Sequence, residues 1–225
     1  MVIKNISTSS ILDKNVVMVQ LGYGDRTPPE MVSMCIDEQI EYARQWMRPI
    51  YSFHFRGVEN ISFPDFQIEG GLTFSSKVVS YVLDGCEKVA VYLATLGKEM
   101  DKEITRLFSK KETLAATVLD IIGSTAINQT LKHLRDDVGL NAGKMGLEST
   151  RHYAPGYCDW DLSQHRILFK VLDYSDMGVS LNNACMMTPR KSVSGIIGIG
   201  NIDNNKKAPC GLFCKKSATC EYRNM

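Results

Sequence analysis

The stretch Arg151-His152-Tyr153-Ala154-Pro155-Gly156-Tyr157-Cys158-Asp159-Trp160 carries an arginine, a glycine and three aromatic rings in ten residues. It lies between a predicted strand, Leu147 to Tyr153, and a predicted helix near Leu162 to Leu172. A loop of this kind can pair a carboxylate with the guanidinium, admit a ligand to the backbone at Gly156 and lay a ring on a flat heterocycle. The alternative is a turn whose aromatics pack on the core. A second loop, Met186 to Gly195, adds hydroxyl and basic groups around Ser192-Val193-Ser194 between strands predicted at Ala184 to Met187 and Val193 to Ile199. It reads either as an anion holder or as a solvated hairpin.

Working outward, the first half alternates strands and helices. Asn15 to Leu21 is Val-rich, ends at Gly22-Tyr23-Gly24 and reads as a strand, with Pro28-Pro29 opening a helix. Val32, Ile36, Ile40, Ala43 and Met47 recur at helical spacing over Glu30 to Arg48. Tyr51, Phe53 and Phe55 alternate with polar residues as in a half-buried strand, and a Gly- and Pro-containing loop is expected after it. Ser75 to Leu83 predicts a serine-capped helix, Val89 to Leu96 a strand, and Met100 to Phe108 a third helix. A long helix is predicted over Glu112 to Val138, with Leu114, Val118, Ile121, Ile122, Leu131 and Leu134 inward and Gly139 as its stop. Helices interleaved with strands, then a strand-rich second half, give an α+β fold class: a single domain with a central twisted, mostly antiparallel sheet flanked by helices, spanning 1–200. Residues 201–225 read as a small Cys-rich C-terminal tail.

Composition narrows the function classes. The 225 residues carry 26 basic and 25 acidic side chains, 44% hydrophobic residues and seven cysteines. Balanced charge gives no footprint for nucleic acid, and no apolar run is long enough for a membrane span. The N-terminus lacks the charged and apolar regions of a secretory signal, so a soluble, cytoplasmic protein is expected. The glycine patterns at 22–24 and at Gly195, Gly198 and Gly200 are incomplete as dinucleotide fingerprints, and read as turns or as close packing between strands.

The sequence resembles the AdoMet-binding reactivation (activation) domain of cobalamin-dependent methionine synthase and its free-standing relatives. The resemblance rests on Arg151, Pro155, Gly156 and Tyr157, on the acidic and aromatic run after them, and on Ser192-Val193-Ser194-Gly195 some 35 residues later. It implies that S-adenosylmethionine binds at Arg151, Ala154, Pro155, Gly156 and Tyr157, with Ser192, Val193 and Ser194 near the face presented to a corrin ring. Two departures stand out. Four residues separate Arg151 from Gly156 where the family has three, and Ser124 to Gln129 carries no glutamate, so Gln129 or Thr125 is the neutral substitute. The chain also lacks the Asp-x-His-x-x-Gly cobalamin motif. Cobalamin is therefore expected on a partner, a corrinoid-binding methionine synthase or methyltransferase, with flavodoxin or ferredoxin as electron donor.

What the resemblance implies is reductive methylation: Co(II) corrinoid gains one electron and takes the methyl group of AdoMet. Residues of this chain then serve as holders, and none is a catalytic nucleophile. The tail adds Cys210, Cys214 and Cys220, spaced Cys-x3-Cys-x5-Cys, which with Cys158 as fourth ligand are candidates for zinc or a [4Fe-4S] cluster. Free thiols are the alternative. A non-catalytic redox or docking module that carries such a site and contacts a corrinoid protein is the competing functional reading.

Overall fold

A computed structural model of the chain describes residues 3–172, 174–202 and 210–213. The elements run β1 (Lys4–Asn5), α1 (Lys14–Gln20), α2 (Glu30–Ala43), β2 (Ile50–Ser62), β3 (Asp65–Ile68), β4 (Leu72–Ser75), α3 (Lys77–Leu83) and β5 (Cys86–Thr95). They continue as α4 (Lys98–Ser109), α5 (Thr113–Lys144), β6 (Glu148–Tyr153), α6 (His165–Leu168), β7 (Ser180–Leu181), β8 (Met187–Thr188), β9 (Ser192–Gly200) and α7 (Cys210–Phe213). The main sheet has strand order β4-β3-β2-β5-β9-β6, with β1 added to β2, and every pairing is antiparallel. The α+β class expected from the sequence is the one observed.

Two cores sit on opposite faces, and strand alternation sorts residues between them. Ala90, Tyr92 and Ala94 of β5 join Ile197 and Ile199 of β9 under α2, α4 and α5. Val89, Val91 and Leu93 with Ile196 face the other way, against α3, the β3–β4 hairpin, Trp160 and Leu168. α5 is 32 residues long, roughly 48 Å at the standard helical rise, and spans the first face. α2 and α4 are clamped by buried Glu103. Its carboxylate accepts from Tyr42 Oη at 2.6 Å and from Arg106 Nη2 at 2.6 Å, and the Arg106 bond holds its pKa below the usual range against the opposing effect of burial.

The structure departs from the sequence expectations at several elements. The Val-rich segment Asn15 to Leu21 is helical: Asp13 caps α1 by accepting from the Asn15 amide at 2.8 Å, and burying Val17 outweighs the strand preference of β-branched residues. α5 runs through Gly139 to Lys144, because buried Val138 and Ala142 carry its core face past that glycine, and the positive-φ glycine that follows is Gly146. Leu114 is exposed, not inward. The loop expected after Phe55 contains the β3–β4 hairpin, turned by Gly70 and Gly71 at φ +95° and +70° between alternating Phe66, Ile68 and Phe74. The helix near Leu162 to Leu172 contracts to a 3₁₀ turn plus α6, and of Ala184 to Met187 only Met187 is in a strand. No helix among the described residues is long and apolar enough to cross a membrane.

Candidate functional site

β9 is the strand on which the region is built. It lies between β5 and β6, so both flanks are crowded, and its glycines answer that crowding. A Cβ at Gly195 would fall 2.0 Å from the Tyr153 carbonyl oxygen, one at Gly198 2.8 Å from Cys86 Sγ, and one at Gly200 2.4 Å from the Gly85 carbonyl oxygen. The pattern that mimics a nucleotide fingerprint is thus close packing between strands. β6 is irregular against it: the register shifts between Ser149 and His152, and in the gap the Gly198 amide donates to Thr150 Oγ1 at 2.8 Å.

Beyond Tyr153 the chain turns into the loop. Ala154 and Pro155 are buried, whereas residues 156 to 159 are exposed. Gly156 adopts φ +94°, a conformation that favours glycine, and its amide donates to the Trp160 carbonyl at 2.8 Å. The Tyr157 amide donates to the Ala154 carbonyl at 3.1 Å, so both amides are spent inside the loop. A Cβ at Gly156 would lie 3.2 Å from Leu162 Cδ1. Tyr157 is 46% exposed. Trp160 anchors the far end: it is buried edge-on against Phe66 and Phe74, and its Nε1 donates to Gln164 Oε1 at 3.0 Å.

The candidates divide between the faces of the sheet. Tyr153 packs with the Trp160 core, and alternation puts exposed Arg151 on that same face. His152 points oppositely, toward α5; burial first, then Arg135 and Arg151, lower its pKa to about 4, so the ring is neutral near pH 7. Gly139 of α5 sits against Ser149 of β6, and α5 runs antiparallel to β6. Ten residues back along α5, roughly 15 Å, Gln129 is level with the start of the loop, but on the α5 face. Arg151 therefore lies on the Trp160-core face of the strand that leads into the 154–157 loop, and half-buried Gln129, on α5, does not share that face.

The serines are sewn into the sheet. Ser192 Oγ donates to Thr95 Oγ1 at 2.8 Å and Ser194 Oγ to the Tyr92 carbonyl at 2.9 Å, both hydroxyls buried; half-buried Val193 packs on the α5 core. The sequence reading missed Lys191, 9% exposed, whose Nζ bonds Asp120 Oδ1 at 2.9 Å, the Asp120 carbonyl at 2.9 Å and Ser124 Oγ at 2.8 Å. Gly123 leaves room for it, since a Cβ there would meet Lys191 Cε at 3.1 Å. A mid-helix glycine beside an aspartate was the available signal.

Cys158 is exposed and sits at φ +53°, Cys35 is half-buried, and Cys86 and Cys185 are buried. Among the described residues no three metal-ligating side chains converge. Cys210 opens α7 with its side chain outside the described residues, and Cys214 and Cys220 lie outside them altogether.

The model of the family described as vitamin B12 dependent methionine synthase, activation domain, matches residues 145–203. The chain resembles that activation domain. The matched segment runs from the end of α5 through β6, the loop and all of β9, and so contains every candidate AdoMet-holding residue except Gln129 and Thr125. A crystal structure of the MetH reactivation domain bound to AdoHcy superimposes with a TM-score of 0.64 at 12% identity, covering 92% of this chain and 79% of that one. The activation-domain fold therefore extends well beyond the matched segment. No curated protein matches the chain.

Proposed function

We propose that the protein binds AdoMet along the end of β6 and the 154–157 loop and supports reductive methylation of a Co(II) corrinoid carried by a partner methionine synthase or methyltransferase. The observation that carries this reading is the coincidence of the family-matched segment with an exposed loop built on a positive-φ glycine beside an uncommitted arginine. The residues present fit the ligand. Arg151 forms no ion pair among the described residues, leaving its guanidinium for the methionyl carboxylate. Gly156 has spent its amide, so it offers a ligand its carbonyl, an acceptor for an amine N–H such as that of adenine. Tyr157 supplies an exposed ring as a flank. The hydroxyls of Ser192 and Ser194 support this region from within the sheet.

AdoMet supplies a sulfonium-bound methyl group. The chain's residues orient it; they move no proton, because the nucleophile is the cobalt reduced by one electron from a donor such as flavodoxin or ferredoxin. Isothermal titration of AdoHcy into the full chain tests the binding half, with micromolar affinity expected and no heat at millimolar ligand overturning it. The second arm mixes the anaerobic protein with AdoMet, reductant and a Co(II) corrinoid protein. Methyl-Co(III) should form, and its absence with methionine synthase and methyltransferase clients alike overturns the reading.

A further inference from the structure

We propose that Asp159 is a positioning residue for the ligand-binding loop, tying it to the β4–α3 junction. The inference rests on the AdoMet reading above. Asp159 is an exposed residue, yet its carboxylate gathers three donors from 81 to 83 positions away: Ser76 Oγ at 2.7 Å and the Val78 amide at 3.2 Å on Oδ1, and the Lys77 amide at 2.7 Å on Oδ2. These are the groups that open α3, where unpaired amides concentrate partial positive charge and a carboxylate is favoured. Ser76 simultaneously accepts from the Val79 amide at 3.1 Å, so its hydroxyl relays between helix and loop. Gln164 repeats the connection five residues on, accepting from the Ser75 amide at 2.8 Å and donating to the Ser75 carbonyl at 2.8 Å while holding Trp160 Nε1. Five hydrogen bonds thus fasten the loop's outgoing limb to residues 75–78.

The incoming limb is set by pairing of Tyr153 with Ile196. Between the two limbs, Gly156 and Cys158 hold positive φ, and Asp159 is the first side chain after them that bonds across to another element. Releasing the carboxylate frees the loop to relax while Trp160 still packs. Asparagine is not an equivalent: it keeps one acceptor for Ser76 and Val78, but turns an amide N–H toward the Lys77 N–H.

The test titrates AdoHcy into the full-length wild type and the variants Asp159→Leu, Asp159→Asn and Ser76→Ala, with amide hydrogen exchange followed in parallel. Asp159→Leu should weaken AdoHcy at least tenfold and Asp159→Asn three- to tenfold. Exchange over residues 154–160 should quicken tenfold in Asp159→Leu while α5 is unchanged. Ser76→Ala removes one of the three donors and keeps both amide bonds to Asp159, so it should weaken AdoHcy by a smaller factor than Asp159→Leu, an order that general destabilisation, read from the melting temperatures, would not follow. Affinity within twofold of wild type in both Asp159 variants overturns the proposal, as does unchanged exchange over the loop. A wild type that does not bind AdoHcy instead overturns the AdoMet reading, and the exchange arm still decides whether Asp159 holds the loop. If Asp159→Leu does not fold, Asp159→Asn carries both measurements.

Discussion

The 154–164 loop and the 191–195 segment solve opposite problems. The loop leaves its middle in solvent and is held by its ends, through Trp160 packing and through Asp159 and Gln164 bonds to residues 75–78. The 191–195 segment is held throughout: Lys191 by Asp120 and Ser124, Ser192 by Thr95, Ser194 by the Tyr92 carbonyl, and Gly195 by its pairing with Tyr92 under the close Tyr153 backbone. Groups rich in hydrogen-bonding capacity are therefore not equally available. The segment's polar side chains are spent on the sheet and on α5, whereas the loop spends its 156 and 157 amides and the Asp159 carboxylate on its own shape and presents residues 156–159 to solvent.

The sharpest break of this contrast is Gly195→Ala. With a Cβ 2.0 Å from a backbone oxygen, the β6–β9 seam has to open, which should cost about 4 kcal/mol and lower the melting temperature by roughly 10 °C in thermal unfolding followed by circular dichroism. Trp160→Ala comes next, at about 3–4 kcal/mol for a large buried ring. It should also abolish AdoHcy binding, because the loop loses its packed end. Gly156→Ala should cost only about 1–2 kcal/mol for its strained φ, yet weaken AdoHcy tenfold or more by titration.

Smaller effects refine the contrast. The His152 pKa falls from 6.5 to about 4, so between those values the unfolded chain binds the extra proton and stability declines on acidification. Discounted for partial exposure, this amounts to about 1–2 kcal/mol. His152→Gln should flatten that part of the curve in denaturant titrations at pH 4.5 and 7. Glu103 adds its own loss at lower pH, as its depressed pKa is crossed. Ser192→Ala should cost about 1 kcal/mol and leave AdoHcy affinity within threefold; a tenfold loss would place that hydroxyl on the ligand.

The contrast also explains how much the sequence disclosed. Periodicity and apolar runs located α2, β2, α3, β5, α4, most of α5, β6 and β9; α2, α4 and α5 bury a helical stripe and β5 and β9 an almost continuous apolar run, while β6 buries no residue fully. It failed at α1, where one capping aspartate and one buried valine decide against local propensity, and at the β3–β4 hairpin, whose strands are four residues each. The Arg-to-Tyr loop was visible as a motif, since its positive-φ turn calls for a glycine at 156. That the serines face inward, that Lys191 reaches α5, and that Arg151 and Gln129 lie on different faces depend on strand parity across a register shift. Parity of that kind is a tertiary property, and no window of sequence contains it.

Phe213, on the short turn that opens the Cys-rich tail, lies edge-on to Tyr81 of α3 at 5.5 Å and against Phe63 at 5.7 Å. A chain shortened to end at Gly200 would uncover Tyr81 and leave Phe63, already 56% exposed, without its ring partner. Such a trimmed protein is expected to keep its sheet and lose colloidal stability, because Phe213 is a lid over apolar surface that the sheet leaves open.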